Sequence, residues 1–215
     1  MTPYTSFLDY VLPHVPGCTN EMALLEIKSS IIEFCEKSLI LQVDQDPVTV
    51  IGGISDYDLE PPSNRLVVKI LKAWYKEIPL LPISPDDVST PSIYNAGSGA
   101  AITKADPRWY IQKDVRTYSL YPIPKDTARL ALTMRVALKP TRTSTSIDDF
   151  IFEEYAEIIA NCAIARLCLS PGKPYTNMNL AGARNALFIS GLNVARDRSV
   201  RGYVRSNRQV QLRRP

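Results

Sequence analysis

The sequence predicts an α+β fold: an α-helical bundle with an inserted β-rich region and an extended C-terminal arm. Three patterns carry that expectation. Apolar residues recur every three or four positions near both ends of the chain, and they alternate every second position across its middle. The last residues are too polar and too basic to fold alone. The order is helix, β-region, helix, helix. Strands do not sit inside a helical bundle, so the β-region is an insertion and the helices on either side of it pack together. The expected parts are a bundle formed by residues 1–45 and 143–202, a β-rich insertion over 46–142, and a basic arm over 203–215. On this reading the insertion is dispensable for the bundle.

Thr5 to Leu12 suits a short helix stopped by Pro13 and Pro16. A long helix is expected from about Glu21 to Leu41. Its stripe is Leu24, Ile27, Ile31, Cys35 and Leu39, widened by Leu25, Ile32 and Phe34, with Thr19 or Asn20 as cap. In the middle region, period-2 segments predict strands at Val48–Ile51, Leu66–Tyr75, Trp109–Gln112, Val115–Tyr121 and Ala128–Leu138. Lys76-Glu77 marks a hairpin tip and Pro122 to Asp126 a turn. Along the last strand, Leu130, Leu132, Met134, Val136 and Leu138 are expected on one face. Tyr94 to Ala101 is rich in small residues and reads as loop.

The next helix is expected over about Ile147–Leu169. Ser146 and Asp149 make a capping-box-like start, and Ile151, Tyr155, Ile158, Ile159, Cys162, Ala165 and Leu169 form its buried stripe. Ser170-Pro171-Gly172 ends it. The final helix, roughly Met178 to Val200, has a weaker apolar face of Leu180, Ala183, Leu187, Val194 and Ala195. Its Gly182 and Gly191 cost helix stability and therefore predict close approach of a neighbour.

Composition narrows the function. The chain has 215 residues and a net charge of +3, with 45% hydrophobic and 22% charged residues, as in an average globular protein. No run of 18 apolar residues is present, so no membrane span is expected, and Met1 to Asp9 has no signal-peptide pattern. The charge is unevenly distributed. From Ile158 onward ten basic residues face one acidic residue, a net +9, and the remainder of the chain carries −6. Such a split points to an acidic partner surface or to nucleic acid. His14 is the single histidine, the four cysteines form no CxxC, and the glycine pairs lack phosphate-loop spacing. The adjacent pairs Asp86-Asp87, Asp148-Asp149 and Glu153-Glu154 diverge on any regular element. No enzyme constellation, metal site or cofactor is therefore expected. Trp74, Tyr75, Trp109, Tyr110, Tyr118 and Tyr121 gather in the β-region, where they read as core packing, with a base-stacking platform as the alternative.

Several segments in order resemble one known family. They are Phe7-Leu8, Leu12-Pro13-His14-Val15-Pro16-Gly17-Cys18, and the helix with Ile31-Ile32-Glu33-Phe34-Cys35-Glu36-Lys37-Ser38. Then come Trp74-Tyr75-Lys76-Glu77-Ile78-Pro79-Leu80, Tyr118-Ser119-Leu120-Tyr121-Pro122-Ile123-Pro124, and a strand ending in Lys139-Pro140. This pattern is similar to the head-to-tail connector (adaptor) proteins of tailed bacteriophages, although the last helix is richer in Ala, Gly and Asn than theirs.

The resemblance implies a structural protein of the virion neck, present in the host cytoplasm during assembly. It implies a homo-oligomeric ring, usually of twelve subunits, below the portal protein. The ring extends the channel for passing double-stranded DNA, without sequence specificity, and docks a tail or neck protein. It also implies that the C-terminal arm binds the portal through Tyr203, Val204, Arg205, Arg208, Val210, Leu212, Arg213 and Arg214. Arg184, Arg196, Arg198 and Arg201 are then candidates for channel or interface cations. Two alternatives stay open: a basic nucleic-acid-binding protein, or another neck or tail component.

Overall fold

The computed structural model describes residues 1–84 and 104–202. The chain forms two compact units, one built from Met1–Ile40 and the chain from Thr145 onward, the other from Leu41–Ser144. The expected loop at Tyr94–Ala101, the Asp86-Asp87 pair and the arm over 203–215 lie outside the described residues.

In the first unit a short strand β1 (Thr2–Pro3) leads through a 3-10 turn (Tyr4–Phe7) to helix α1 (Leu8–Val11) and a second 3-10 turn (Leu12–His14). Helix α2 (Asn20–Ser38) starts where Thr19 accepts a bond from the Met22 amide at 3.4 Å. It stops three residues short of the expected Leu41, because Leu39 turns left-handed at φ 55° and its amide closes on the Cys35 carbonyl. Its buried face comprises Ala23, Ile27, Ser30, Ile31, Phe34, Cys35 and Ser38. Leu25, expected in the stripe, is exposed.

Helix α3 (Asp149–Cys168) starts from Asp148, whose side chain makes no cap bond, and not from the expected Ser146–Asp149 box. Ser146–Ile147 instead forms strand β11 against β1, and Asp149 accepts the Thr2 hydroxyl at 2.7 Å. The Ser146 hydroxyl turns to Met1 Sδ at 3.7 Å, so neither side chain of the expected box is left for the helix amides. The helix is buried around most of its girth, so Ala156, Ala160, Ala163, Ile164, Leu167 and Cys168 join the expected stripe. Leu169 lies past the end and is exposed. This burial makes α3 the centre of the unit. Phe152 meets Phe7 edge-on at 5.0 Å and Tyr155 meets Phe34 at 5.2 Å.

Helix α4 (Met178–Arg201) is capped by Asn177, which accepts the Leu180 amide at 3.0 Å. It lies on α3, with lighter contact to α2. Its buried residues are Ala181, Phe188 and Ala195, spaced by seven. Of the expected face only Ala195 is buried; Leu180 is half-buried, and Ala183, Leu187 and Val194 are exposed. The reason is steric. Ala181, Gly191 and Ala195 let the helix sit close to α3 around one buried ring, Phe188, and the exposed aliphatic side chains are left on its flanks.

The two helical glycines behave differently. A Cβ on Gly191 would lie 2.6 Å from Ile158 Cδ1, whereas one on Gly182 meets nothing within 4 Å. The β-branched Ile158 cannot swing away cheaply. Gly191→Ala should therefore destabilise the protein by about 1–3 kcal/mol despite better helix propensity. Gly182→Ala should stabilise it by roughly 0.5–1 kcal/mol. Urea melts of both variants check the opposite signs, and Ile158→Ala should relieve the first.

The second unit is a seven-stranded sheet curled into a half-barrel. Its order is β2 (Gln42–Val50), β10 (Ala128–Pro140), β4 (Arg65–Tyr75), β5 (Ile78–Pro82), β7 (Trp109–Gln112), β8 (Thr117–Tyr121) and β3 (Asp56–Asp58). Neighbours are antiparallel except β5 and β7. A separate small pair joins β6 (Lys104–Ala105) and β9 (Ile123–Pro124). β10 slips register twice against β2 and twice against β4, and each slip bends the strand and increases its twist. Leu130 sits in the first slip at φ 49° and is 56% exposed, so it leaves the face shared by Leu132, Met134, Val136 and Leu138. The β4–β5 hairpin turns on Lys76-Glu77 at φ 48° and 68°, the primed geometry that matches strand twist. The Asp114 carboxylate takes the Arg116 and Thr117 amides, so β8 begins at Thr117 and not at Val115. Tyr75, Tyr110 and Tyr118 fill the core, while Trp109 and Tyr121 pair at 5.7 Å as half-buried neighbours.

Replacing Leu41–Ser144 by a Gly/Ser linker should leave a folded helical unit. Far-UV circular dichroism retaining the helical signal, with a cooperative melt, is the expected result.

Candidate functional site

The outside of α4 is a surface that the core leaves unused. One flank carries Leu187 and Val194, one heptad apart. The other carries Met178, Ile189 and Val200, eleven residues apart, which is three helical turns. All five are exposed, Val200 at 74%. Between these flanks, on the side opposite Phe188, Ser190, Asn193 and Asp197 face solvent. An amphipathic helix that needed only its α3 seam would carry one apolar stripe. This one carries two more, on opposite sides, which suits contact with two different neighbouring surfaces.

The candidate cations of α4 divide in the same way. Arg184 donates to Asn161 Oδ1 at 2.9 Å and to His14 Nδ1 at 3.2 Å. A guanidinium has no acceptor, so the imidazole nitrogen takes that bond. Arg198 pairs with Glu154 and donates to the Tyr155 hydroxyl at 3.1 Å, with its guanidinium 5.9 Å from the ring centre. These two arginines fasten α4 to the rest of the unit. Arg201 pairs with Asp197 one turn back at 3.3 Å. Arg196 is exposed and lies on the flank of Met178, Ile189 and Val200. The expected portal contacts Tyr203, Val204, Arg205, Arg208, Val210, Leu212, Arg213 and Arg214 lie outside the described residues.

Between α2 and α3, Arg166 bridges Glu33, at 2.5 Å, and Glu26, at 3.5 Å. Burial pushes the Glu33 carboxyl up. Its bonds to Lys37 and Arg166 outweigh that and hold it below the usual carboxylate range. Burial pushes the neighbouring Cys162 thiol up, so it is a poor nucleophile. The cluster is an interhelical clamp. Among the described residues no group of His, Cys, Asp or Glu is placed to hold a metal ion, and no helix is long and apolar enough to cross a membrane.

The sequence missed the two flanks of α4. The expected buried face takes in Leu187 and Val194 and leaves Met178, Ile189 and Val200 without a role; only their spacing, by seven on one side and eleven on the other, separates two flanks.

Comparison with curated proteins returns no match. Comparison with family profiles matches residues 22–212 to the SU10 adaptor protein. The match spans both units, the inserted sheet, α4 with its two apolar flanks, and nearly all of the basic segment that follows. The chain belongs to the SU10 adaptor protein family, a family of structural phage adaptors and connectors rather than of enzymes.

Proposed function

We propose that this protein is the head-to-tail adaptor of a tailed bacteriophage, assembling as a homo-oligomeric ring below the portal, extending its DNA channel and docking a tail or neck protein. The family assignment supports the adaptor role. The observation that carries the ring is α4. Its two apolar flanks differ from one another, Leu187 and Val194 on one, Met178, Ile189 and Val200 on the other. A two-fold dimer would use one self-complementary patch. Two unlike patches on opposite sides suit a head-to-tail contact, which closes into a ring if the rotation allows. Twelve is the copy number that the phage resemblance implies. The virion neck is the matching location.

Portal binding is assigned to 203–215, whose four arginines and no acids suit bidentate pairing with carboxylates. The channel is assigned to passing duplex DNA, with exposed cations such as Arg196 contributing a field and no base readout. Electron microscopy of the purified protein mixed with portal is the test. Rings of one size stacked on the portal are expected. If the protein binds duplex DNA with steep salt dependence and ignores the portal, the nucleic-acid reading of the +9 segment replaces the adaptor reading.

A further inference from the structure

Among the described residues the curled sheet does not close. Its two outermost strands, β2 and β3, carry no hydrogen-bonded neighbour on their outer sides among the described residues. Both border one cleft of about 520 Å³. The floor is part apolar, with Val43 and Val48 among its lining. The rim is acidic: Asp44 and Asp46 come from β2, Asp58 from β3, and Glu60 from the chain just after it. A bond from Gln45 Nε2 to the Glu60 carbonyl, at 3.5 Å, spans the gap between the two edges. Only Asp44 is compensated, by a two-pronged bond from Arg135 at 2.6 and 2.9 Å, and that bond holds its carboxyl below the usual range. Among the described residues Asp46, Asp58 and Glu60 have no cationic partner.

An open seam between two strand edges suits an extended peptide. Apolar residues on its floor and repelling carboxylates on its rim define which one: a strand that alternates apolar and polar residues and carries positive charge without negative. The chain contains such a segment. Residues 203–215 hold four arginines and no acids, and Gln209-Val210-Gln211-Leu212-Arg213 alternates with the period of a strand. We infer that the acidic seam between β2 and β3 is a docking groove for segment 203–215 of a neighbouring copy of this protein. Val210 and Leu212 meet the apolar floor, and the arginines neutralise Asp46, Asp58 and Glu60. This acceptor does not rest on the adaptor reading. If both hold, the seam and the portal compete for one segment.

The test is photo-crosslinking of the full chain without portal. Val48→Cys, in a Cys18→Ser background, is labelled with a benzophenone and irradiated, and adducts are mapped by mass spectrometry. Adducts within 203–215 at a multiple of the monomer mass are expected; the same adducts at the monomer mass alone would overturn the neighbouring copy as the source. Asp46→Asn/Asp58→Asn/Glu60→Gln should lower their yield about tenfold. Neutralising the partner side instead, with Arg205, Arg208, Arg213 and Arg214 changed to Gln, should do the same without touching the folded unit. Adducts confined to other segments, or a yield that survives both sets of changes, overturn the proposal. Because no portal is present, failure of portal binding elsewhere leaves this result intact.

Discussion

Phe188→Ala should loosen α4 from the helical unit and lower stability by about 3–5 kcal/mol. Phe188 is the one large side chain that α4 buries, at 2% exposure; its companions Ala181 and Ala195 supply closeness and little area. A loss of that size is a third or more of a typical domain's stability of about 5–15 kcal/mol. The arginine clamps Arg184–Asn161 and Arg198–Glu154 are partly exposed and would not compensate. Hydrogen exchange separates this outcome from general unfolding. Amides of α4 should lose protection first, while those of α3, covered by α1 and α2 as well, keep theirs. Leu187→Ala, on the exposed flank, should leave monomer stability within about 0.5 kcal/mol and act only on assembly.

Deleting 203–215 should leave both units folded and abolish joining to the portal. The segment follows the described end of α4, and Gly202, at φ 65°, closes the helix through its amide on the Arg198 carbonyl. The cut therefore removes no part of the described core. Ordering ten or more residues on a partner costs roughly 10–20 kcal/mol of backbone entropy. Main-chain pairing and arginine–carboxylate bonds, each about 1–3 kcal/mol net when desolvated, must exceed that cost together. Losing all of them leaves nothing to offset the entropy of association. Sedimentation of truncated protein with portal should show two separate species. Co-migration with unchanged affinity would assign the anchor to another surface.

Much of this architecture can be read from local patterns. The start of α2, both bounds of α3 and α4 and the Lys76-Glu77 hairpin tip fall within two residues of expectation, because caps, Pro-Gly stops and turn chemistry act over short range. Residues whose role is set across the fold were hidden. The sequence predicts only four residues of β2 because Asp44, Asp46 and Pro47 interrupt its alternation; an edge strand tolerates them since, among the described residues, one side carries no partner. Leu130 follows the period of its neighbours and leaves the core only through a slip in pairing with β2. Ser146 looked like a cap until the remote Pro3 claimed it as a strand partner. On α4, periodicity finds an apolar face but picks the wrong stripe and omits Phe188, since which stripe meets α3 depends on Gly191 fitting against Ile158. The portal contacts of the candidate site rest on charge and on family resemblance, both properties of sequence.

The split of the helical unit also governs the order in which the molecule is made. α2 and its partner α3 are separated by the whole of Leu41–Ser144, so their pairing closes a loop of roughly a hundred residues. On a ribosome adding about 5–20 residues per second, α2 waits on the order of 5–20 s for α3 to be synthesised. Through that interval Ile27, Ile31 and Phe34 lack the cover of α3 and α4, and only the short N-terminal turn and α1 are there to pack against α2. The sheet of the second unit, contiguous in sequence, is complete before the helix that rescues α2 emerges. Synthesis thus imposes a sequence of events in which the inserted unit folds first and a nascent chain presents an adhesive N-terminal helix. Translation pauses between α2 and α3 would lengthen that exposure and lower the yield of soluble protein, a sensitivity that a circular permutant joining α2 directly to α3 would lack.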